Sequence, residues 1–344
     1  AFGMSQSPAP ASVSSYIVQG HTFEAATNGV ASVDGAITHE LGVIRAVAAD
    51  LTDRQVAKLR SRDGIRRVYA NGTVETAAKG GKKSETSEST TDTTTDTTTD
   101  ATTDTFYTTL VNGDAVHQMG IDGSGIGIAV LDTGLWKHNG IKYDSAGNAR
   151  IKAVYNAITD TEAVNPNSGD DPAGHGSHVA SIAVSSLMTD DGTARYNRVA
   201  PGAHLVSVQA FDGSGQGTYA DVIRAIDWIV ANRNKHKIRI INASFSAEAR
   251  SYYWDDPINQ AIMVAWQNEI FVVAAAGKRG PAAMTIGVPG NVPYVMSVGA
   301  MTDNFTPEDG SDDELASFSS TGPTVEGFVK PDLVAPGGHM RGLV

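Results

Sequence analysis

The chain has 344 residues, a hydrophobic fraction of 41% and a formal net charge of -12. That length exceeds an ordinary single domain, so two folded units, or one large unit with appendages, are expected. Nucleic acid is disfavoured as a partner, because nothing basic and extended is available to neutralise phosphates. With no cysteine, disulfides, thiolate metal sites and a cysteine nucleophile are excluded for these residues. No apolar run approaches the roughly 18 residues that would span a bilayer.

Residues 1–15 lack the basic start and full apolar core of a secretory signal and read as an unstructured leader. Residues 16–78 form a compact module. "YIVQG" reads as a strand, "TFEAATNGVAS" as a helix, and "AITHE" and "GVIRAVAADL" as two further strands. Thr52 caps a second helix that places Val56 and Leu59 on one face and stops at Gly64; "IRRVYAN" closes the unit. The order βαββαβ is the small α+β ferredoxin-like arrangement, which by itself says little about function. Residues 79–105 repeat an acid every fourth position, at Asp92, Asp96, Asp100 and Asp104, in a threonine background with nothing apolar to bury. A disordered Thr/Asp-rich linker is the expectation there.

From Phe106 to Val344 strands and helices alternate. The runs "IGIAVLD", "HLVSVQAF", "IRIINASF", "IFVVAAAG" and "YVMSVGAM" are separated by "SHVASIAVSSL", "TYADVIRAIDWIVANRN" and "PINQAIMVAWQN". Near-continuous apolar strands alternating with helices imply an α/β domain with a doubly wound, mostly parallel sheet. Sites in such sheets lie at the carboxyl ends of the strands. Asp132 sits at one such end, in "LDTG", and His175 starts a helix in "GHGSHVASI". An acid and a histidine at element boundaries of one sheet can serve as orienting carboxylate and general base. An acid ending a strand, as Asp132 does, is by itself more often a turn or cap residue, and His175 alone fares similarly.

Two rival readings are weak. "GSGIGIAV" resembles a dinucleotide loop, but its glycines precede the strand instead of following it. His175 and His178 lie three apart on a helix without a carboxylate to complete a metal-ligand set, so no metal site is expected there.

The motifs "GIAVLDTGLW", "GHGSHVASI", "AAAG" before a "GP" turn, "LASFSSTGP" and "VKPDLVAPGG" resemble, in order and spacing over residues 120–338, the subtilisin-like serine proteases, or subtilases. The resemblance implies a serine endopeptidase acting on protein or peptide substrates and secreted from the cell. It also implies that the module at 16–78 is an inhibitory propeptide of a zymogen. Asp132 then corresponds to the orienting acid and His175 to the base. Ser214 and Gly215 of "GSGQG" correspond to an edge that pairs with substrate backbone. Ser244, Phe245 and Ser246 resemble one wall of the specificity pocket, and Ala275, Ala276 and Gly277 the other; for Phe245, ordinary core packing remains an equal alternative.

The nucleophile of the family lies in a Gly-Thr-Ser motif after "VAPGG". It is absent from the 344 residues; Ser319 and Ser320 fall in a structural loop of the family. The expectation is therefore a carboxy-terminally truncated chain, inactive alone, with one face of its sheet exposed. The family places an asparagine at Lys278, where its amide donates to the oxyanion. A lysine there leaves open a pseudoprotease or peptide-binding module. Arg279 reads as a solvated turn residue. No cofactor is required, although structural calcium is an expectation for the family, and Glu308, Asp309, Asp312, Asp313 and Glu314 offer acids for it.

Overall fold

The computed structural model describes residues 12–77 and 105–338, apart from 137, 191, 192, 194, 305, 307, 308 and the side chain of 168, together with 340 and 342. The leader, but for its last residues, and all of the linker except Thr105 lie outside the described residues.

The amino-terminal module comprises β1 (Val13–Gly20), α1 (Phe23–Ala31), β2 (Ala36–Leu41), β3 (Ala46–Thr52), α2 (Asp53–Arg60) and β4 (Ile65–Ala70), in an antiparallel sheet ordered β2-β3-β1-β4. The first strand starts at Val13, inside the expected leader, because Val13, Ser14 and Ser15 pair with Thr52, Leu51 and Asp50 of β3. A second difference lies in "GVIRAVAADL", which is not one strand. Gly42–Ile44 form a 3-10 turn and Arg45 takes a left-handed φ of 57°, so the chain reverses and Leu41 pairs with Ala46. Both helices start as read: Thr22 accepts from Ala25 N–H, and Thr52 with Gln55 forms a reciprocal capping box.

Strand alternation gives the module two buried faces. Val18, Val47, Ala49 and Leu51 pack on Ala26, Val30, Val56 and Leu59 of its own helices. Ile17, Ala46 and Ala48 point the other way, into the core of the larger domain.

That domain is built from α3 (Tyr107–Leu110), α4 (Gly113–Gln118), β6 (Gly127–Asp132), α5 (Asn139–Lys142), β7 (Ile151–Asn156), β8 (Thr161–Glu162), α6 (His175–Val184), β9 (His204–Gln209), α7 (Tyr219–Asn232), β11 (Ile238–Ala243), α8 (Pro257–Gln267), β13 (Phe271–Ala275), β14 (Met296–Thr302), β15 (Glu314–Leu315) and β16 (Leu333–Pro336), with β10 (Gln216–Thr218) and β12 (Phe245–Ser246) at its surface. The main sheet runs β15-β14-β13-β11-β6-β9-β7-β8, and β16 pairs with β14. Its interior is parallel; the short β8 and β15 are antiparallel. β7, "IKAVYN", was not read from the sequence.

Alternation along β6 assigns the two faces. Ile128 and Val130 pack with Ala180 and Val184 of α6, whereas Ala129 and Leu131 join the core that holds Ile223, Ile226 and Ile229 of α7 and Ile258 and Ile262 of α8. The module sheet covers the outer side of α7 and α8, so these helices are buried from both directions.

Polar contacts fix that interface. Gln19 Nε2 donates to Gln260 Oε1 at 2.7 Å, Arg224 Nη2 to Thr38 O at 2.7 Å, and His39 Nε2 lies 3.0 Å from Asp221 Oδ1. Burial raises the Asp221 carboxyl, but the contacts from His39 and Thr218 outweigh it and leave it below its ordinary value.

At the carboxyl-terminal edge, Leu333 and Val334 of β16 are each 45% exposed. No helix among the described residues is long and apolar enough to cross a membrane.

Behind the surface strands, Phe211 is fully buried with its ring 5.4 Å from that of Phe245. Phe211→Ala should therefore cost about 3–5 kcal/mol. Urea unfolding should show a lowered midpoint with an unchanged slope; a shift worth under about 1 kcal/mol would show that the ring is not part of the packed core.

Candidate active site

The end of β6 and the start of α6 meet because two glycines permit it. A Cβ on Gly176 would lie 2.3 Å from Gly134 O, and Gly134 itself has a φ of 136°. The helix start is pinned further by Asp171, whose carboxylate accepts from Gly174 N–H, Ser177 N–H, the Ser177 hydroxyl and the Thr133 hydroxyl at 2.7–3.0 Å. Thr133 Oγ1 in turn accepts from Gly176 N–H at 2.9 Å. Asp171 was not singled out from sequence; an acid four residues before His175 at a helix start is the signal that was available.

This bracing sets His175 Nδ1 2.6 Å from Asp132 Oδ1. Oδ1 also accepts from Thr133 N–H at 2.8 Å, while Oδ2 is buried without a hydrogen-bond partner among the described residues. Asp132 is 1% exposed, and burial pushes its carboxyl above its ordinary value despite the opposing effect of His175. A carboxylate that accepts from Nδ1 fixes the imidazole tautomer and leaves Nε2 as the proton acceptor. His178, one turn on, is different: its Nε2 lies 3.3 Å from Met340 O, and burial lowers its pKa.

The cleft beside this pair is lined by backbone. A strand β5 (Thr73–Thr76), the tail of the amino-terminal module, lies antiparallel between β10 and β12. Glu75 pairs with Gln216 on one side and Ser246 on the other. Thr76 N–H donates to Gly215 O at 3.0 Å and Ala77 N–H to Ser244 O at 2.9 Å. Gly215 has a φ of 77°, and a Cβ there would come within 2.8 Å of Thr76 Oγ1, so glycine is favoured beside the paired strand.

The remaining sequence-derived positions divide. Ser214 bonds Asp212 through both N–H and hydroxyl, holding the turn before β10 instead of facing β5. Phe245 offers the cleft only its backbone, since its side chain is fully buried against Phe211. Ser246 Oγ approaches the backbone of Gly277, whose φ is 116°; Ala276 is buried and Ala275 half-buried. Lys278 Nζ donates to Thr76 O at 3.3 Å and lies 3.5 Å from Glu75 Oε1. Arg279 does not simply project into solvent, because its guanidinium reaches Glu248 at 3.6 Å and Ala247 O at 3.4 Å. Ser319 and Ser320 are buried, accepting from Ala300 N–H and Arg279 N–H.

Of the acids considered for calcium, Asp312 accepts from the Thr306 hydroxyl and Asp309 from Ser311 N–H. Among the described residues no group of three or more acidic or histidine side chains converges to hold a metal.

The buried Asp132 has a consequence for stability. A native carboxyl held above its unfolded value binds more protons than the unfolded chain in the interval between the two, so its ionisation costs stability as pH rises. Asp132→Asn removes that cost. The variant should be more stable than the parent near neutral pH, and its advantage should shrink on acidification and vanish below about pH 4, the ordinary carboxylate range. Urea titrations at several pH values would expose the contrary outcome, an offset that does not change with pH.

Residues 123–343 match the profile of the Subtilase family, Peptidase_S8. The chain is 35% identical over 229 residues to serine protease AprX of Bacillus subtilis (strain 168), covering 65% of this chain and 48% of AprX. It is 31% identical over 231 residues to subtilisin DY of Bacillus licheniformis, covering 66% of this chain and 70% of that one. Fervidolysin from Fervidobacterium pennivorans, described as a keratinolytic enzyme related to subtilisin, superposes with a TM-score of 0.64 at 21% identity over 97% of this chain and 48% of its own. The chain thus spans about half the length of AprX and of fervidolysin, and the superposition speaks for the fold. The profile match and the identity to subtilisin DY place this chain in the subtilase family of proteins.

Proposed function

We propose that the chain supplies the acid and base of a secreted serine endopeptidase, made as a zymogen, whose residues 16–78 act as its intramolecular inhibitor. The reading is carried by two features at the same carboxyl end of the sheet: an oriented His175, and the backbone-paired strand β5, whose hydrogen bonding continues to Ala77. In this reading His175 Nε2 takes the proton from a serine hydroxyl, whose oxygen attacks a substrate carbonyl. The resulting tetrahedral intermediate expels the amine, which receives the proton from His175, and leaves an acyl-enzyme for water to hydrolyse. The serine is that of the Gly-Thr-Ser motif implied by family resemblance, outside these 344 residues.

The inhibitor role rests on how β5 is held. Main-chain pairing on both sides is the mode by which extended peptides add to a sheet edge, and it is largely indifferent to side-chain identity. Ala77, donating to Ser244 O, would be the residue whose carbonyl is attacked. In the chain extended through the Gly-Thr-Ser motif, cleavage should occur after Ala77, and His175→Ala should abolish it. Intact-mass analysis reads both; cleavage elsewhere, or cleavage surviving His175→Ala, would sink the proposal.

A second reading, a peptide-binding module without turnover, is favoured by Lys278, which stands where the family resemblance implies the oxyanion-donating amide. Losing that amide costs roughly 10²- to 10³-fold in turnover, a magnitude that comes from subtilisin itself. In the chain extended through the Gly-Thr-Ser motif, a rise in peptide hydrolysis by that factor on Lys278→Asn would make the native protein the binding module, whereas similar rates for the two would leave the protease reading in place.

A further inference from the structure

Lys278 is engaged, and what it engages is the segment in the cleft. Its ammonium contacts the carbonyl of Thr76 and the carboxylate of Glu75, and its side chain is only 23% exposed, against 52% for Glu75. The two groups share a cavity of about 260 Å³ that is also lined by Gln216, Ser246, Glu248 and Arg279. Glu248 is already matched to Arg279 at 3.6 Å. Besides Glu75, the charged side chains lining the cavity are Glu248, Arg279 and Lys278, and of these it is Lys278 that lies 3.5 Å from the Glu75 carboxylate.

We infer that Lys278 is a specificity-determining residue that selects polypeptides carrying an aspartate or glutamate at the place of Glu75, two residues before the one whose carbonyl is attacked. The inference rests on the proposed reading that β5 lies as a substrate does. Antiparallel pairing fixes the register there: Glu75 opposes Ser246 and Gln216, and its side chain meets the ammonium at the end of β13. An acidic residue neutralises a half-desolvated cation. A lysine or arginine at the same place sets two like charges a few ångströms apart, and that repulsion discriminates more sharply than the attraction does. Because main-chain bonds supply affinity without reading sequence, a charge at one register position is an economical way to impose a preference.

The test uses charge exchange within the chain and reads amide hydrogen exchange at Thr76 and Ala77, whose N–H groups are held by Gly215 and Ser244. In the parent both amides should be protected. Lys278→Glu and Glu75→Lys should each speed exchange about 2- to 10-fold at low salt, the double variant should restore protection, and Lys278→Arg should preserve it. The effect of each single variant should fade at about 0.5 M salt, which a purely steric role for Lys278 would not produce. Protected amides that ignore every substitution would overturn the charge selection while leaving the cleft reading intact. Unprotected amides in the parent would overturn the cleft reading, and this inference with it.

Discussion

A carboxylate taken out of water needs donors at close range, and Asp132, at the end of a strand hydrogen-bonded on both sides, has almost no water to fall back on. His175 supplies the strongest contact it has. That contact exists only because Gly134 and Gly176 let the β6 turn and the α6 start touch backbone to backbone. Asp171 then ties the same helix start to Thr133, so the acid, the base and the loop between them form one braced unit. Burial raises the energy of the ionised acid while the imidazole lowers it. The site is thus held by opposed effects, and a charge kept beside the His175 imidazole costs stability.

The second organising element is the cleft strand. Helices α7 and α8 are covered on their outer side by the module sheet, and the same module sends β5 across to pair with β10 and β12. The two attachments differ in physics. The sheet-on-helix contact is apolar, anchored by Ile17, Ala46 and Ala48 and bordered by hydrogen bonds such as Gln19 to Gln260; it is indifferent to what lies in the cleft. The β5 contact is a ladder of main-chain bonds that any extended peptide can imitate. A module joined this way can lose its tail from the cleft and still remain docked.

Much of this was legible because it follows from periodicity and from residues with few alternatives. Continuous apolar runs announced the sheet, and Thr52 announced a helix start. What stayed hidden was long-range or conformational. Arg45 turns left-handed without any glycine to announce it, which split one expected strand into a turn and a shorter strand. β5 is four residues of weak pattern whose partners lie about 140 and 170 residues away, so no local signal could pair it. Phe245 illustrates the limit for site residues: the sequence placed it beside the cleft, but only packing against Phe211 decides that its side chain faces inward.

Lys278 ties these strands of argument together. A short amide at this position would be fixed and neutral, suited to a developing oxyanion and too short to act on residues further along the chain. A lysine gives up that fixity, and its length lets the charge reach back to Thr76 and Glu75. The substitution therefore moves electrostatic influence from the attacked carbonyl toward the preceding residues. Selectivity gained there is gained in binding, in the ground state as much as in the transition state, so it lowers the substrate concentration needed without accelerating the bond-breaking step. On the inferred role of Lys278, such a cleft gains its preference in binding, and Glu75 is the acid that meets the ammonium here.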